Sequence, residues 1–361
     1  MIPDEHLLYY WLSLCRITPL RMNKLLDIYH ISELFERIKK DEKIAGLVGA
    51  DKYGALIKTA NIDLLNESYN ELSRYGVEFL AKSDRKFPER LKQSEVSAPS
   101  GLYYKGELSL LDTTCIAIVG TRRCSNYGKE TAYKFASELT EYSFTVVSGL
   151  ATGIDAYAHD AALSANGKTI AVLGMGHACF SPSDNAKLFS RICGEGLAVS
   201  EYPPCYEGSK YTFPERNRLI SGLSDAVIIV EAAQKSGALI TADRALEQGR
   251  EVFAVPGNIT SPKSAGANAL IQKGASLLFG TQDILNYFSV KNTKIHKNAP
   301  ILQLDIYEQK IYNLLEFGEI LLDELQSKSG FTMQEFLSTL LSMEMKGAVI
   351  RLSGNKYKRK V

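Results

Sequence analysis

A Rossmann-like α/β fold, doubly wound around a mostly parallel sheet, is predicted for the middle of this chain, and three observations predict it. First, short continuous apolar runs stop at glycine: Cys115-Ile116-Ala117-Ile118-Val119-Gly120, Thr145-Val146-Val147-Ser148-Gly149 and Thr169-Ile170-Ala171-Val172-Leu173-Gly174. Second, stretches with helical spacing separate them, at Tyr127–Tyr142 and Ala156–Leu163. Third, the alternation continues through strands at Leu197–Ser200, Ala226–Val230, Val252–Val255 and Leu277–Phe279. Strands that are apolar throughout are covered on both faces, as in a parallel sheet between two helix layers.

The flanks read differently. Residues 1–82 form an all-helical domain (SAM-like or helix-hairpin-helix-like). Leu7, Leu8, Trp11, Leu12 and Leu14 keep helical spacing, and two short helix pairs span Arg16–Phe35 and Ala45–Ile57. Such helix pairs either hold a nucleic-acid backbone or only pack. Residues 83–110 are an irregular lead-in to the 83–288 sheet domain, with helices near Asn217–Leu223, Ala238–Glu247 and Asn268–Lys273. Residues 289–303 are a polar linker carrying Lys291, Lys294, Lys297 and Pro300. Residues 304–361 read as three helices followed by a hairpin, Ala348–Leu352 and Lys356–Lys358 about a polar turn, which is a winged helix.

The 361 residues suit two or three domains at roughly 100–200 residues each. With 45% apolar and 23% charged residues, wholesale disorder and fibrous repeats are excluded. A net charge of +1 excludes a globally basic nucleic-acid binder, but the charge is uneven. Lys346–Val361 has six Lys/Arg and no acid, whereas Leu304–Met345 has eight acids and two bases. The winged helix therefore reads equally as a DNA contact, through its basic wing, or as a protein contact, through its acidic helices. No apolar run is long enough to span a membrane, and Asp4, Glu5 and His6 do not open a signal peptide. Six scattered cysteines without a CxxC pair imply reduced thiols in a cytoplasm and no metal site.

In an open α/β sheet, ligands bind beyond the carboxyl ends of the strands. After the first strand, Gly120-Thr121-Arg122-Arg123 supplies a tight turn and two cations. Ser125 or Asn126 caps the next helix, whose first amides favour an anion. This is neither GxGxxG nor a P-loop, so dinucleotide dehydrogenases and P-loop ATPases are disfavoured. Asp155 and His159 share a helix face after the second strand. They either do acid–base work or order the glycine-rich turn before them. Lys210, Tyr211, Phe213, Arg216, Asn217 and Arg218 interleave cations with rings, as single-stranded nucleic acid requires. Arg216 and Arg218 also read as internal partners of Glu215, Glu231 or Asp225. Ser236 and Thr241 belong to a further helix start rich in amides.

Six segments together resemble the DNA-processing protein A family (DprA/Smf): Val119–Arg122, Ser148–Asp155, Phe213–Arg218, Ser236–Ala242, Glu247–Arg250 and Val255–Gly257. The flanking helices and winged helix match that family's architecture as well. The resemblance implies a cytoplasmic protein, without cofactor or catalytic residue, that binds and protects incoming single-stranded DNA. It implies loading of the recombinase RecA on that strand during natural transformation. Carried over to this chain, the family's phosphate-binding arginine is Arg122. Its cation and aromatic ring before and within the Phe-Pro motif are Lys210 and Phe213. A further family lysine has only Lys187 as its nearest counterpart. The family's homodimer contact falls near Asn268, Leu270 and Ile271. Two other readings are a phosphoribohydrolase-like enzyme, whose PGGxGTxxE motif is absent, and an adaptor that binds RecA or a response regulator without DNA.

Overall fold

The computed structural model describes residues 3–94, 98–290, 304–315, 319–352 and 354–359. It forms two compact units, Met1–Ile295 and His296–Val361. Of the expected linker, only Ser289 and Val290 lie within the described residues.

The first unit opens with α1 (Glu5–Cys15), α2 (Pro19–Leu26), α3 (Ile31–Arg37), α4 (Lys43–Val48), α5 (Ala50–Thr59) and α6 (Ile62–Glu71). The two expected helix pairs are α2–α3 and α4–α5. Asp4 caps α1 by accepting from the Leu7 amide, and Arg16 ends it in a left-handed conformation. Trp11 is fully buried at the centre of these helices, and its indole N–H donates to the Thr59 hydroxyl at 2.9 Å.

Two strands of the sheet lie where the sequence reads as helix or irregular chain. β1 (Glu78–Ala81) ends the helical segment. β2 (Gly101–Gly106) comes from the lead-in, after α7 (Glu89–Lys92), and pairs with β1 antiparallel. Phe79, Ala81 and Tyr103 of this pair are packed into the core of the N-terminal helices. The Ser13 hydroxyl lies 2.7 Å from the Tyr103 hydroxyl. A pair this short is stable only because helices cover one of its faces, a long-range condition that no local pattern displays.

The remaining strands are β3 (Cys115–Val119), β4 (Thr145–Ser148), β5 (Lys168–Leu173), β6 (Leu197–Ser200), β7 (Ala226–Ile229), β8 (Glu251–Ala254) and β9 (Ser276–Leu277). The nine lie in the order β1-β2-β6-β5-β4-β3-β7-β8-β9, and all pairs from β6 to β9 are parallel. Ala117, Val119, Val147, Ile170, Val227 and Ile229 fill the core on one face. Ile116, Ile118, Val146 and Ile228 fill it on the other. This is the doubly wound arrangement that the continuous apolar runs predict. The connecting helices are α8 (Asn126–Glu141), α9 (Ile154–Ser164), α10 (Ala186–Glu195), α11 (Thr212–Gly222), α12 (Gly237–Glu247), α13 (Ala265–Gln272) and α14 (Thr281–Tyr287). Chain direction across the sheet reverses at β3, between β4 and β7, and the carboxyl ends there open a crevice.

The second unit contains α15 (Ile306–Leu314), β10 (Ile320–Leu321), α16 (Leu322–Ser329), α17 (Met333–Met345), β11 (Val349–Leu352) and β12 (Lys356–Arg359). Capping boxes Asp305/Glu308 and Thr332/Glu335 start α15 and α17. The second helix begins only at Leu322, because Ile320 and Leu321 pair with β12. Three helices and a three-stranded sheet make a winged helix.

The lead-in is fixed to the sheet by a polar clamp. Arg90 donates to the Asp225 carboxylate at 2.6 Å and to the Leu111 and Thr113 carbonyls, while Asp225 also accepts from the Cys115 amide at 2.8 Å. Asp225→Asn leaves the largely buried Arg90 without its counter-charge. The substitution should cost about 2 kcal/mol and lower Tm by about 4–8 °C in a thermal unfolding scan.

Candidate nucleic-acid interface

At the point where the strand order reverses, the loops after β3 and β7 and the start of α11 enclose a cleft of about 730 Å³. Nine residues singled out from the sequence line it: Gly120, Arg122, Arg123, Lys210, Phe213, Arg216, Asn217, Ser236 and Thr241. Arg218 does not.

Backbone requirements set the wall made by the first loop. A Cβ on Gly120 would stand 2.6 Å from the Ile154 side chain, so only glycine admits the start of α9 at this distance. Gly153 has φ +85°, and a Cβ there would stand 2.6 Å from the Arg122 carbonyl oxygen. The Thr121–Arg122 backbone therefore rests on a glycine surface. Arg122 and Arg123 project into solvent beyond it. The Arg122 guanidinium lies 5.6 Å from the centre of the Phe213 ring and makes no ion pair among the described residues.

The amides at the start of α8 do not form the open anion site expected of them. The buried Glu231 carboxylate, from the end of β7, accepts from the Ser125 amide at 2.8 Å and from the Ser125 hydroxyl at 2.5 Å. The Ser125 hydroxyl in turn accepts from the Gly128 amide. The protein supplies its own anion to this helix start, which the helix dipole favours. Glu231 was read from the sequence only as a partner for Arg216 or Arg218. The opposite helix start, of α12, remains part of the cleft through Ser236, Gly237 and Ala238. Ser236 caps it by accepting from the Ala238 amide, and Asn217 donates to the Gly237 carbonyl at 3.2 Å. Thr241 is buried one turn further on.

α11 begins at Thr212, five residues before the position read from the sequence, and this decides the fate of its arginines. Lys210 lies just before the helix, exposed, with its ammonium 5.1 Å from the ring of Tyr211. Phe213 and Pro214 fall in the first turn. Arg216 and Arg218 fall on turns that pack inward, only 4% and 6% exposed. Arg216 donates to the Gly149 carbonyl at 2.6 Å and to the Val172 carbonyl. Its charge also opposes the rise that burial imposes on the Asp155 pKa. Burial lowers the pKa of Arg216 itself to about 10. Arg218 pairs with the Glu201 carboxylate. Both arginines are thus internal partners, and the ion pair is with Glu201 rather than Glu215, Glu231 or Asp225. Arg216 forms the floor of the cleft, and Arg218 lies outside it.

Asp155 orders the turn before α9 by accepting from the Gly149 amide at 3.2 Å. His159 is fully buried, with Nδ1 2.6 Å from the Thr169 hydroxyl, and burial lowers its pKa to about 3. It is neutral at physiological pH and has no solvent path for proton exchange.

Lys235 was not singled out from the sequence. It is exposed, lines the cleft, and directly precedes the cap residue Ser236, which is the signal that could have found it. Lys187 is exposed on α10 and does not line the cleft. Of the expected dimer residues, Asn268 exchanges hydrogen bonds with both backbone groups of Gly257 and Leu270 packs into the core. Asn268 and Ile271 are both half-buried there. In the second unit, the outer face of α17 shows Met333, Leu337, Leu341 and Met345 and no cation. Among the described residues, no group of three His, Cys, Asp or Glu side chains is placed to hold a metal, and no helix is long and apolar enough to cross a membrane.

The chain matches the family model described as DNA recombination-mediator protein A over residues 78–289 and that of the DprA winged helix domain over residues 296–355. DNA processing protein DprA of Streptococcus pneumoniae is 48% identical over 191 residues, 53% of this chain and 67% of that one. The crystal structure of DNA processing protein A from Streptococcus pneumoniae superposes with TM-score 0.67 and 36% identity, covering 79% of this chain and 98% of that one. A structure of the Helicobacter pylori protein, which concerns its single-stranded DNA binding mode, gives TM-score 0.55 and 33% identity over 60% of this chain and 97% of that one.

The buried and exposed arginines should separate in a urea titration. Arg216→Gln leaves buried carbonyls unpaired and should destabilise by roughly 2–4 kcal/mol. Arg122→Gln should stay within about 0.5 kcal/mol of the parent.

Proposed function

Because the chain belongs to the DNA recombination-mediator protein A family, we propose that it binds incoming single-stranded DNA in the cleft at the β3–β7 crevice, protects it, and loads RecA on it during transformation. The observation that carries this reading is the composition of the cleft. Arg122, Arg123, Lys210 and Lys235 are exposed around a half-buried ring, Phe213, and the cavity is open to the surface. Cations spaced along an open groove follow phosphates, and a ring beside them stacks on a base. The apolar, cation-free face of α17 supports protein contact by the winged helix, since base edges and phosphates are read by polar and cationic side chains.

Arg122 and Phe213 make contacts of different kinds, and salt separates them. In fluorescence anisotropy with oligo-dT, Arg122→Ala should weaken binding and flatten the slope of log K against log salt by about 0.7. Phe213→Ala should cost about 1–3 kcal/mol with little change of slope. Full affinity in both folded variants would remove the cleft from the DNA path.

The same reading includes a homodimer through the late part of the sheet domain. Support comes from Phe279, 79% exposed, and the half-exposed Leu277, which lie with Ile271 at the β9 end of the sheet. Light scattering of the full chain at tens of micromolar should give about twice the monomer mass. The double variant Ile271→Glu/Phe279→Glu should give the monomer mass, and an unchanged dimer would place the interface elsewhere.

A further inference from the structure

Outside the cleft, the N-terminal helices carry a second group of cations. Arg16 ends α1, Arg21 lies on α2 and Lys52 on α5. Their heads are held by neutral groups. Lys52 donates to the Cys15 carbonyl at 3.1 Å, and Arg21 to the Val48 carbonyl at 2.9 Å. The Arg16 guanidinium lies 4.4 Å from the centre of the Tyr206 ring. None of the three makes an ion pair among the described residues. Arg16 and Arg21 are near enough to Lys52 to depress its pKa, after burial, and Glu215 is the single carboxylate that opposes them. Three like charges opposed by one carboxylate leave an excess of positive charge, which an anion relieves.

The position of this group identifies the anion. Tyr206 stacks on Tyr202, with centroids 5.0 Å apart and an interplanar angle of 14°. Seven residues on, the same segment places Phe213 beside Arg122 in the cleft. Between them stand Lys210 and Tyr211, which is 72% exposed. Residues 206–213 therefore join the cleft to the N-terminal cations through three rings, Tyr206, Tyr211 and Phe213, and one cation, Lys210, with the exposed Glu207 among them. Rings beside cations along one path suit a flexible polyanion with stacking bases. A free phosphate would need only one cluster, not a continuous track.

We infer that Arg16, Arg21 and Lys52 form a second backbone-binding site for single-stranded DNA, engaged by strands long enough to leave the cleft along residues 206–213. The inference rests on the cleft being a DNA site, and strand length tells the two apart. An oligonucleotide of about 6 nucleotides is within reach of one groove, whereas one of about 25 exceeds single-groove site sizes.

The test is fluorescence anisotropy with dT oligonucleotides of both lengths over a salt series, on the full chain. For the long strand, Arg16→Gln/Arg21→Gln/Lys52→Gln should flatten the salt slope by about 2, from three contacts at about 0.7 each, and weaken binding about fivefold or more. Affinity for the short strand should stay at the parent value. Arg21→Gln alone, an exposed change, should flatten the long-strand slope by about 0.7. Parent-like binding of the long strand by both variants overturns the second site. Equal loss on both lengths overturns it too, and assigns the three cations a structural role. If Arg122→Ala leaves short-strand binding intact while the triple variant loses long-strand affinity, the cleft reading fails and the second site stands. Absence of binding by the parent protein at either length overturns both.

Discussion

The cleft depends on a guanidinium that never meets solvent. Arg216 lies beneath it and donates to the carbonyls of Gly149 and Val172, which belong to the ends of two neighbouring strands. A carbonyl at the carboxyl end of a strand has no partner in the ladder, and burying it unpaired costs about 1–3 kcal/mol. One fork meets two such needs, and no other side chain has that geometry and permanent charge. Asp155 balances the charge from the next turn and holds the Gly149 amide. The strand ends, the glycine turn and the start of α9 are thereby one rigid floor, and the exposed cations stand on its rim.

Glu231 plays the matching part on the other wall. It joins the end of β7 to the start of α8, so the loops that flank the reversal of strand order are tied to each other rather than only to the sheet. The β3 loop is further fixed by the Thr121 amide, which donates to the Glu231 carbonyl at 2.8 Å. Charged residues in this region thus divide into two populations. Arg216, Arg218 and Glu231 are buried and bonded internally, Arg218 to the half-buried Glu201, whereas Arg122, Arg123, Lys210 and Lys235 are exposed and make no ion pair among the described residues.

That division explains what the sequence displays and what it conceals. The parallel strands are legible because each is apolar for its whole length, and their loops follow from the rule that ligands gather at carboxyl ends. β1 and β2 are not legible, since their pairing is stabilised by helices some 70 residues away in the chain. Within Lys210–Arg218, residue types alone suggest six ligands for DNA. The true start of α11 at Thr212 assigns two of them to the core. Helix phase, which composition does not contain, separates Arg216 and Arg218 from Lys210. Lys235 escaped attention for the opposite reason: it stands alone, without a ring or second cation beside it. The cluster of Arg16, Arg21 and Lys52 is scattered over 37 positions and becomes visible only when α1, α2 and α5 fold together.

The carboxylate seated at the start of α8, on the amide and hydroxyl of Ser125, has a consequence for competition. A helix start left open would be a compact trap for one phosphate, and the mononucleotides abundant in any cell would occupy it. With Glu231 in that place and Ser236 capping the start of α12, the charges left around the cleft are a row of separate cations, each a weak contact in water at ordinary ionic strength. A mononucleotide meets them one or two at a time. A polymer meets them together, because its second and third phosphates arrive already tethered at high local concentration. On the proposed function, the internal anion discriminates by chain length, favouring long strands over their monomers without reading a single base.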